Sequence, residues 1–240
     1  MSNFFFISKN NIQKNNFQFD SDESHHLINV MRLNIGSEIY FTDGEGGSYT
    51  GSISSLDNDI VSGNILDVHN NKNELNYHIH LGLPVIKKSR IKIAIEKSVE
   101  SGVKEITPLS LERSVRQNIS IERLSSISRS AVKQSMRSII PAINPTSSLS
   151  DWYDSDALNI ACIIGSDKRL SGFRDEILKS VNDKKKICLL IGPEGDFSNK
   201  EKEFIYDNKF IKVSLGNTIL RTETAIISVL SILNELIEYE

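Results

Sequence analysis

The longer, second part of the chain alternates short apolar runs with segments in which apolar residues recur at helical spacing. The apolar runs read IHLGLP, EITPL, NIACIIG, ICLLIG and FIKVSLG. The apolar positions between the first two runs share one face of a predicted helix, and Gly102 follows as a natural C-cap. These positions are Ile91, Ala94, Ile95 and Val99. Strands that are apolar almost throughout, and that alternate with helices, predict an α/β fold with a mostly parallel sheet.

Four further helices are expected in this part of the chain. They are a basic helix within 120–138, one from about residue 171, one from Ser198 and a last one from about Thr222. Ser198 and Glu201 have the S-x-x-E spacing of a capping box, which fixes the start of the third of these helices.

The first part of the chain has the pattern of short strands joined by tight turns. Two β-rich runs lie around Asp43-Gly44 and Gly46-Gly47, pairs that readily supply positive φ angles. The stretch NNKNELN is the most linker-like in the chain. We therefore expect a small, mostly β, barrel-like domain over residues 1–73 and an α/β domain over residues 74–240.

One short helix is expected in the β-rich part, within SDESHHLINVMRL. Ser21 or Asp22 is positioned to cap its N-terminus. Leu27, Val30 and Met31 fall at helical spacing and are expected on its buried face.

Composition is that of an ordinary globular protein, with 39% hydrophobic and 25% charged residues. No apolar run approaches the roughly 18 residues of a membrane span, and MSNFFFISKNN lacks the features of a signal peptide, so a cytoplasmic protein is expected. Cys162 and Cys188 each lie inside a short apolar run. Two buried strand cysteines are therefore favoured over a disulfide or a metal site.

Charge is distributed unevenly around a formal net charge of −3. Residues 81–150 carry an excess of Lys and Arg, whereas the segments on both sides are acidic. A basic middle segment is a plausible footprint for a phosphate-rich partner, although solvated helix faces would give the same pattern.

Three loops follow the carboxyl ends of predicted strands, after Ile164, Ile191 and Leu215. Ligands of open parallel sheets bind at such ends. In the second loop, GPEGDFSNKE, Gly192 and Gly195 allow the backbone to approach a ligand closely. Neither a P-loop nor a G-x-G-x-x-G fingerprint is present, so a nucleotide-like ligand would have to be held by the backbone of several loops.

Arg221 and Glu223 lie side by side at the start of the last predicted helix, in the stretch LGNTILRTETA. A glutamate complements the positive end of the helix dipole there, and Thr222 or Thr224 can act as cap. An arginine at that end gains nothing from the dipole. Arg221 is therefore expected either to face an anion or partner group, or to form a surface ion pair with Glu223.

Two motifs, LLIGPEGDFSNKE and VSLGNTILRTETA, resemble those of the ribosomal RNA small subunit methyltransferase E family, of the SPOUT class of RNA methyltransferases. HHLINVMRLNIGSEIYFTDGEG and IEKSVESGVKEITPLSLERS are similar to further segments of that family. The resemblance implies a PUA-like β-barrel followed by a parallel α/β domain with a C-terminal trefoil knot, assembled as a homodimer. It also implies methyl transfer from S-adenosylmethionine to N3 of a uridine in the decoding region of 16S rRNA, within the small ribosomal subunit.

The resemblance assigns three groups of residues. The implied cofactor pocket comprises Gly165, Ile191, Gly192, Pro193, Glu194, Gly195, Leu215, Gly216, Ile219, Leu220, Arg221, Thr224 and Ala225. The implied catalytic residues are Arg221, Arg113 and Glu194, the last as a possible base or as a structural residue of its loop. The implied RNA contacts are Arg32, Arg129, Lys133, Gln134 and Arg137.

The chain departs from the family pattern at Lys133, where a glutamate is usual, and at Gly36-Ser37, where Gly-Asp is usual. It also lacks N-terminal arginines. Two alternatives stay open on the sequence: methylation of another RNA position or of a ribose hydroxyl, and a non-enzymatic RNA-binding assembly factor. No metal is implied, because the leaving group of the transfer is a neutral thioether.

Overall fold

A computed structural model describes residues 4–115 and 118–238 of the chain. Residues 1 and 240, where the two expected domains begin and end, lie outside the described residues. The chain divides into two compact units. The first contains the residues up to Glu74 together with Val132–Ile140, and the second contains Leu75–Ala131 and the residues from Pro141 onward.

The first unit is built on a six-stranded sheet of order β1-β4-β5-β6-β3-β2. Its elements are β1 Phe4–Phe6, a 3₁₀ turn Lys9–Asn11, β2 Ile12–Gln13, β3 Asn16–Gln18, α1 Ser21–His25, a π-helical turn His26–Val30, β4 Glu38–Thr42, β5 Gly47–Asp57 and β6 Ile60–Asn70. Gly44 and Gly46 adopt positive φ angles, as the turn pattern predicts. The hairpin between β5 and β6 turns at Asn58 and Asp59, which also have positive φ angles and were not among the predicted turns.

Three phenylalanines form the centre of the first unit's core. Phe17, Phe19 and Phe41 are all buried, and their ring centroids lie 4.7–5.5 Å apart. Aromatic pairs at this spacing contribute about 0.5–1.5 kcal/mol each beyond their burial. Leu27 joins the same core.

The short helix of this unit differs from its prediction in two respects. Asp20, not Ser21 or Asp22, caps α1, because its Oδ1 accepts a hydrogen bond from Glu23 N at 2.8 Å. The π-helical turn His26–Val30 then shifts the helical phase. Val30, expected on the buried face, is consequently 60% exposed, while Leu27 is fully buried.

The second unit confirms the predicted α/β fold with a parallel sheet. All neighbours in the strand order β12-β10-β11-β7-β8-β9 are parallel. Its elements are β7 Ile79–Pro84, α2 Lys88–Glu100, β8 Glu105–Leu109, α3 Ile121–Ser135, β9 Ala142–Ile143, α4 Leu149–Trp152, β10 Leu158–Cys162, a 3₁₀ turn Leu170–Phe173, α5 Arg174–Asn182, β11 Ile187–Ile191, α6 Asn199–Asp207, β12 Ile211–Val213 and α7 Thr222–Glu238. The last turn of α3 belongs to the first unit.

The central strands are buried because helices cover them, and this limits the size of the side chains that the strands can carry. Every residue of β7 and of β11 is buried. A Cβ atom at Gly82 in β7 would lie 2.8 Å from Leu109 Cδ1 and 2.9 Å from Trp152 Cζ2. A glycine at this point therefore makes room for the only tryptophan of the chain.

The observed division differs from the predicted domains in the placement of 132–140. The expected boundary between residues 73 and 74 is one residue before the observed division after Glu74. The segment 132–140, which was assigned to the second domain, is part of the first unit. Glu74 explains this, because its Oε1 accepts hydrogen bonds from the backbone N–H groups of Ser138 and Ile139, both at 2.9 Å.

None of the described helices is both long and apolar enough to cross a membrane.

Candidate active site

A cleft of about 480 Å³ opens at the carboxyl ends of β10, β11 and β12 in the second unit. Parallel sheets bind ligands at this edge, where the strands end and the loops begin. Its lining is mostly loop residues: Cys162, Ile163, Ile164, Gly165, Ser166, Asp167, Arg169, Ile191, Gly192, Pro193, Glu194, Asp196, Ser214, Leu215, Gly216, Asn217, Thr218, Ile219, Leu220, Thr222 and Ala225.

The middle loop of the cleft runs from β11 to α6. Ser198 accepts a hydrogen bond from Glu201 N at 3.3 Å, and Glu201 Oε2 accepts one from Ser198 N at 2.8 Å, which confirms the predicted capping box. Phe197 is fully buried beneath the loop, 3.1 Å from where a Cβ atom at Gly192 would lie. The helix start and the buried ring thus fix both ends of the loop.

Side-chain hydrogen bonds join the loop after β10 to β12 and to the loop that follows β12. Ser166 Oγ donates to Lys212 O at 3.0 Å. Arg169 donates to Ser214 O at 3.3 Å and to Asn217 Oδ1 at 3.2 Å. Gly165 adopts a φ of +81°, which a residue with a Cβ atom rarely adopts.

Most residues that the resemblance assigned to the cofactor pocket line this cleft. They are Gly165, Ile191, Gly192, Pro193, Glu194, Leu215, Gly216, Ile219, Leu220 and Ala225. Gly195, Arg221 and Thr224 do not line the cleft, although each is adjacent in the sequence to a residue that does.

Two of the three expected catalytic residues are engaged with the middle loop or with a neighbouring helix. The Nη1 atom of Arg113 donates to Gly195 O at 2.8 Å, so this guanidinium supports the loop backbone. Glu194 lines the cleft and forms an ion pair with Arg90, in the first turn of α2.

Arg221 and Glu223 do not pair with each other. Glu223 is buried and forms its ion pair with Arg90, whose Nε lies 3.7 Å from Glu223 Oε1. Arg221 is exposed, and no hydrogen bond or ion pair joins its side chain to another described residue. Of the three expected catalytic residues, it is the one whose charged group stays available to a ligand.

Two residues that shape the cleft, Arg90 and Arg169, were not predicted from the sequence. Thr222 was predicted only as a helix cap, and its contact with the middle loop was not. Thr222 Oγ1 donates to Gly192 O at 3.3 Å and so joins α7 to that loop. Arg90 lies 104 positions from Glu194 in the chain, and no local pattern connects them. The one available signal was that Arg90, like Arg221, is an arginine at the N-terminus of a predicted helix.

The expected RNA contacts divide into exposed residues and residues engaged within a unit. Arg32 and Gln134 of the first unit and Arg129 of the second are exposed. Lys133 pairs with Glu23 and lies 5.5 Å from the centre of the Phe6 ring. The usual glutamate at this position would repel Glu23, so here Lys133 serves the first unit's own packing.

Arg137 is not available as a surface contact. It is 2% exposed, and its Nη2 donates to Glu74 Oε2 at 2.6 Å. Each partner of such a pair compensates the buried charge of the other, so the guanidinium has a structural role within the first unit. Burial therefore removes Arg137 from the RNA-contacting set.

Both cysteines lie in strands, as predicted, and form no disulfide. Cys188 is buried, as predicted, whereas Cys162 is only partly buried and lines the cleft. Desolvation inside the protein raises the pKa of both thiols, which keeps them protonated at neutral pH. Among residues 4–115 and 118–238, no group of three His, Cys, Asp or Glu side chains is arranged to hold a metal ion.

Comparison with known families assigns both units to one class of proteins. The model of the RNA methyltransferase domain matches residues 73–234, and the model of the RNA methyltransferase PUA domain matches residues 19–66. The protein is thus of the class of RNA methyltransferases that carry a PUA domain.

Individual relatives define the family within this class. The ribosomal RNA small subunit methyltransferase E of Buchnera aphidicola (subsp. Acyrthosiphon pisum) is 32% identical over 90% of this chain and 87% of its own. That of Bacillus subtilis is 28% identical over 90% and 88%. The chain belongs to the ribosomal RNA small subunit methyltransferase E family.

Solved structures share the fold over the whole chain. The Neisseria gonorrhoeae member of this family, bound to S-adenosyl methionine, is 25% identical, covers 100% of both chains and has a TM-score of 0.87. A putative methyltransferase from Legionella pneumophila, in complex with the same cofactor, is 25% identical over 98% of both chains, with a TM-score of 0.84.

Proposed function

We propose that this protein transfers a methyl group from S-adenosylmethionine to N3 of a uridine in the decoding region of 16S rRNA. The observation that carries the proposal is the backbone-lined cleft at the strand ends of a family member whose structural relatives hold that cofactor. A volume of about 480 Å³ fits a ligand of this size.

The fit of the cofactor rests on the glycines and main-chain groups of the three loops. Gly165, Gly192 and Gly216 bring backbone to the cleft without side chains in the way. Ile219 and Leu220 supply apolar surface next to them. These residues would hold the nucleoside part, since neither a P-loop nor a dinucleotide fingerprint is present.

The chemistry that S-adenosylmethionine supplies is an electrophilic methyl group whose departure leaves a neutral thioether. The protein must align uracil N3 and accommodate the charge left when the N3 proton is lost, and positioning alone can contribute up to about 7–11 kcal/mol. We assign Arg221 to the uracil oxygens, where charge-assisted hydrogen bonds stabilise the anion as it forms. Arg113 and Glu194 position the middle loop. The target base is unstacked to enter the cleft.

Three further features belong to the same proposal. The sheet of the first unit closes into a PUA-like barrel, supported by the irregularities in β5 at Thr50/Gly51 and Ile53/Ser55 that would bend it. The C-terminal part of the second unit forms a trefoil knot, supported by the family and by β12 pairing with β10 and not with β11. Arg32, Arg129 and Gln134 contact RNA.

The working form is a homodimer that acts on the small ribosomal subunit in the cytoplasm. Exposed isoleucines on α2 and α7, Ile93, Ile227 and Ile232, supply apolar surface for the second copy. Wild-type protein in analytical ultracentrifugation is expected at about twice the chain mass of 27.0 kDa.

Methyl transfer to isolated small subunits tests the proposal. Subunits lacking the modification are incubated with protein and cofactor labelled in the methyl group, and 16S rRNA is then purified. Label at a single uridine that blocks reverse transcription is the expected result, because an N3 methyl group occupies a pairing edge. Label that instead protects the adjacent phosphodiester from alkali indicates a ribose target, and RNA binding without label indicates a non-enzymatic factor; either contradicts the proposal.

A further inference from the structure

Arg90 joins the middle loop of the cleft to the start of α7. Its guanidinium pairs with Glu194, which lines the cleft from the middle loop, and its Nε lies 3.7 Å from Oε1 of Glu223. Glu223 stands between Thr222, which lines the cleft, and the rest of α7. One side chain from α2 thus contacts both the loop after β11 and the first turn of α7.

Arg90 gains nothing from its own helix. It is the third residue of α2, where a positive charge opposes the helix dipole, and the N-cap residue Lys87 makes no side-chain cap. The side chain is only 23% exposed. The two carboxylates, and not the helix, account for an arginine held in this position.

Glu223 is held there at a cost to stability. Its Oε2 atom is buried and has no hydrogen-bond partner among the described residues. An apolar side chain would pack there without an unpaired oxygen, so a buried carboxylate with one unsatisfied atom is typical of a functional site.

We propose that Arg90 is a positioning residue for the cofactor: it holds Glu194 in the wall of the cleft, with Glu223 as its buried anchor. The inference rests on the proposed function, because the cofactor concerned is S-adenosylmethionine. Arg90 does not itself line the cleft. It acts through Glu194 and the middle loop, and the binding of cofactor is the property that it controls.

Cofactor affinity tests this directly in the full chain. Dissociation constants for S-adenosylmethionine are measured for the wild type, Arg90→Ala and Arg90→Lys. Loss of the charged contact is expected to weaken binding by about tenfold in Arg90→Ala. Arg90→Lys is expected to bind with intermediate affinity, since an ammonium group cannot span both carboxylates as a planar guanidinium does. Lys92→Ala on the same helix is the matched control, because Lys92 only pairs with Glu96 at 3.6 Å on the surface.

A double mutant separates positioning from a general effect on folding. If Arg90 acts through Glu194, the variant Arg90→Ala/Glu194→Ala binds cofactor no more weakly than Glu194→Ala alone. Turnover assays should show a raised KM for the cofactor with little change in kcat. A general loss of structure would instead lower kcat and the melting temperature together.

Three results would overturn the inference. One is wild-type affinity in Arg90→Ala, another is a strictly additive loss in the double mutant, and the third is an unchanged affinity in Arg90→Lys should Arg90→Ala fail to fold. A wild-type protein that binds no cofactor overturns the proposed function, and this inference with it.

Discussion

The Nε atom of Arg90 lies 3.7 Å from the Oε1 atom of Glu223, so the glutamate at the start of α7 pairs with a helix far away in the sequence and not with Arg221. This separates two arginines that both stand at helix N-termini. Arg90 is engaged within the protein, whereas Arg221 is exposed beside the cleft. Replacing Arg90 and replacing Arg221 are therefore expected to affect different properties of the protein.

Replacing Arg221 by alanine is expected to slow methyl transfer without weakening cofactor binding. Removing one donor that stabilises a developing anion typically lowers kcat by about 10²–10³-fold. Arg221 does not line the cleft, so the dissociation constant of S-adenosylmethionine should stay within about twofold. Single-turnover methylation of small subunits measures the rate, and an unchanged rate would remove Arg221 from the chemistry.

Replacing Arg113 by alanine is expected to act on the cofactor and not on the target base. Its guanidinium donates to Gly195 O at 2.8 Å, and the loss of this contact loosens the middle loop. KM for S-adenosylmethionine should rise several-fold, with kcat little changed, in steady-state assays. The opposite split, a lower kcat at constant KM, would show that Arg113 contacts the reacting base.

The buried pair Arg137–Glu74 is expected to be a main support of the first unit. Glu74→Ala leaves the guanidinium of Arg137 buried without its carboxylate, and breaking such a pair costs about 3–5 kcal/mol in the free energy of unfolding. Urea denaturation measures this. Glu45→Ala is the matched control: its pair with Lys9 is largely exposed, and a loss below about 1 kcal/mol is expected. Equal losses in the two variants would contradict the structural role of Arg137.

His80 is expected to make stability fall as the pH drops. Trp152 Nε1 donates to His80 Nε2 at 2.9 Å, and since an indole N–H can only donate, that ring nitrogen must be unprotonated. Burial lowers the pKa of His80 from 6.5 to about 4. As the pH falls, His80 is therefore protonated near pH 6.5 in the unfolded chain but only near pH 4 in the folded chain. Unfolding free energy should fall by about 3 kcal/mol across this window.

Glu105 extends the same trend to lower pH. Burial opposes its ionisation, but a hydrogen bond from Asn144 and the charges of His80 and Lys186 lower its pKa to about 2.

Denaturation at several pH values should show a flatter profile between pH 6.5 and 4 for His80→Gln and an unchanged one for the exposed His69→Gln. Identical profiles for His80→Gln and the wild type would contradict the assignment.

Patterns along the chain predicted most elements of the second unit, because apolar runs and helical spacing are local signals; the short strand β9 and the short helix α4 were not predicted. The apolar runs became β7, β8, β10, β11 and β12, and the S-x-x-E spacing placed the start of α6 at its cap. The helix at Ser21–His25 was predicted less well, because a π-helical turn changes the period on which the prediction depends.

Long-range pairing could not be read from the sequence. The pairing of Arg90 with Glu194 joins residues 104 positions apart, and that of Arg137 with Glu74 joins residues 63 apart. Arg137 lies in the predicted basic helix within 120–138 and has the pattern of a surface contact, whereas in the structure it follows the end of α3 and is buried against Glu74. The cleft itself was anticipated in outline because strand ends define it, whereas the side chains that hold its loops were not.

Calorimetric titration with S-adenosylmethionine, for the wild type beside Arg221→Ala, tests the account most directly. We predict that both proteins bind one cofactor per chain with similar affinity, since the three loops form the site and Arg221 serves the step that follows. Wild-type protein that releases no heat of binding, or cofactor affinity that disappears with Arg221, would contradict it.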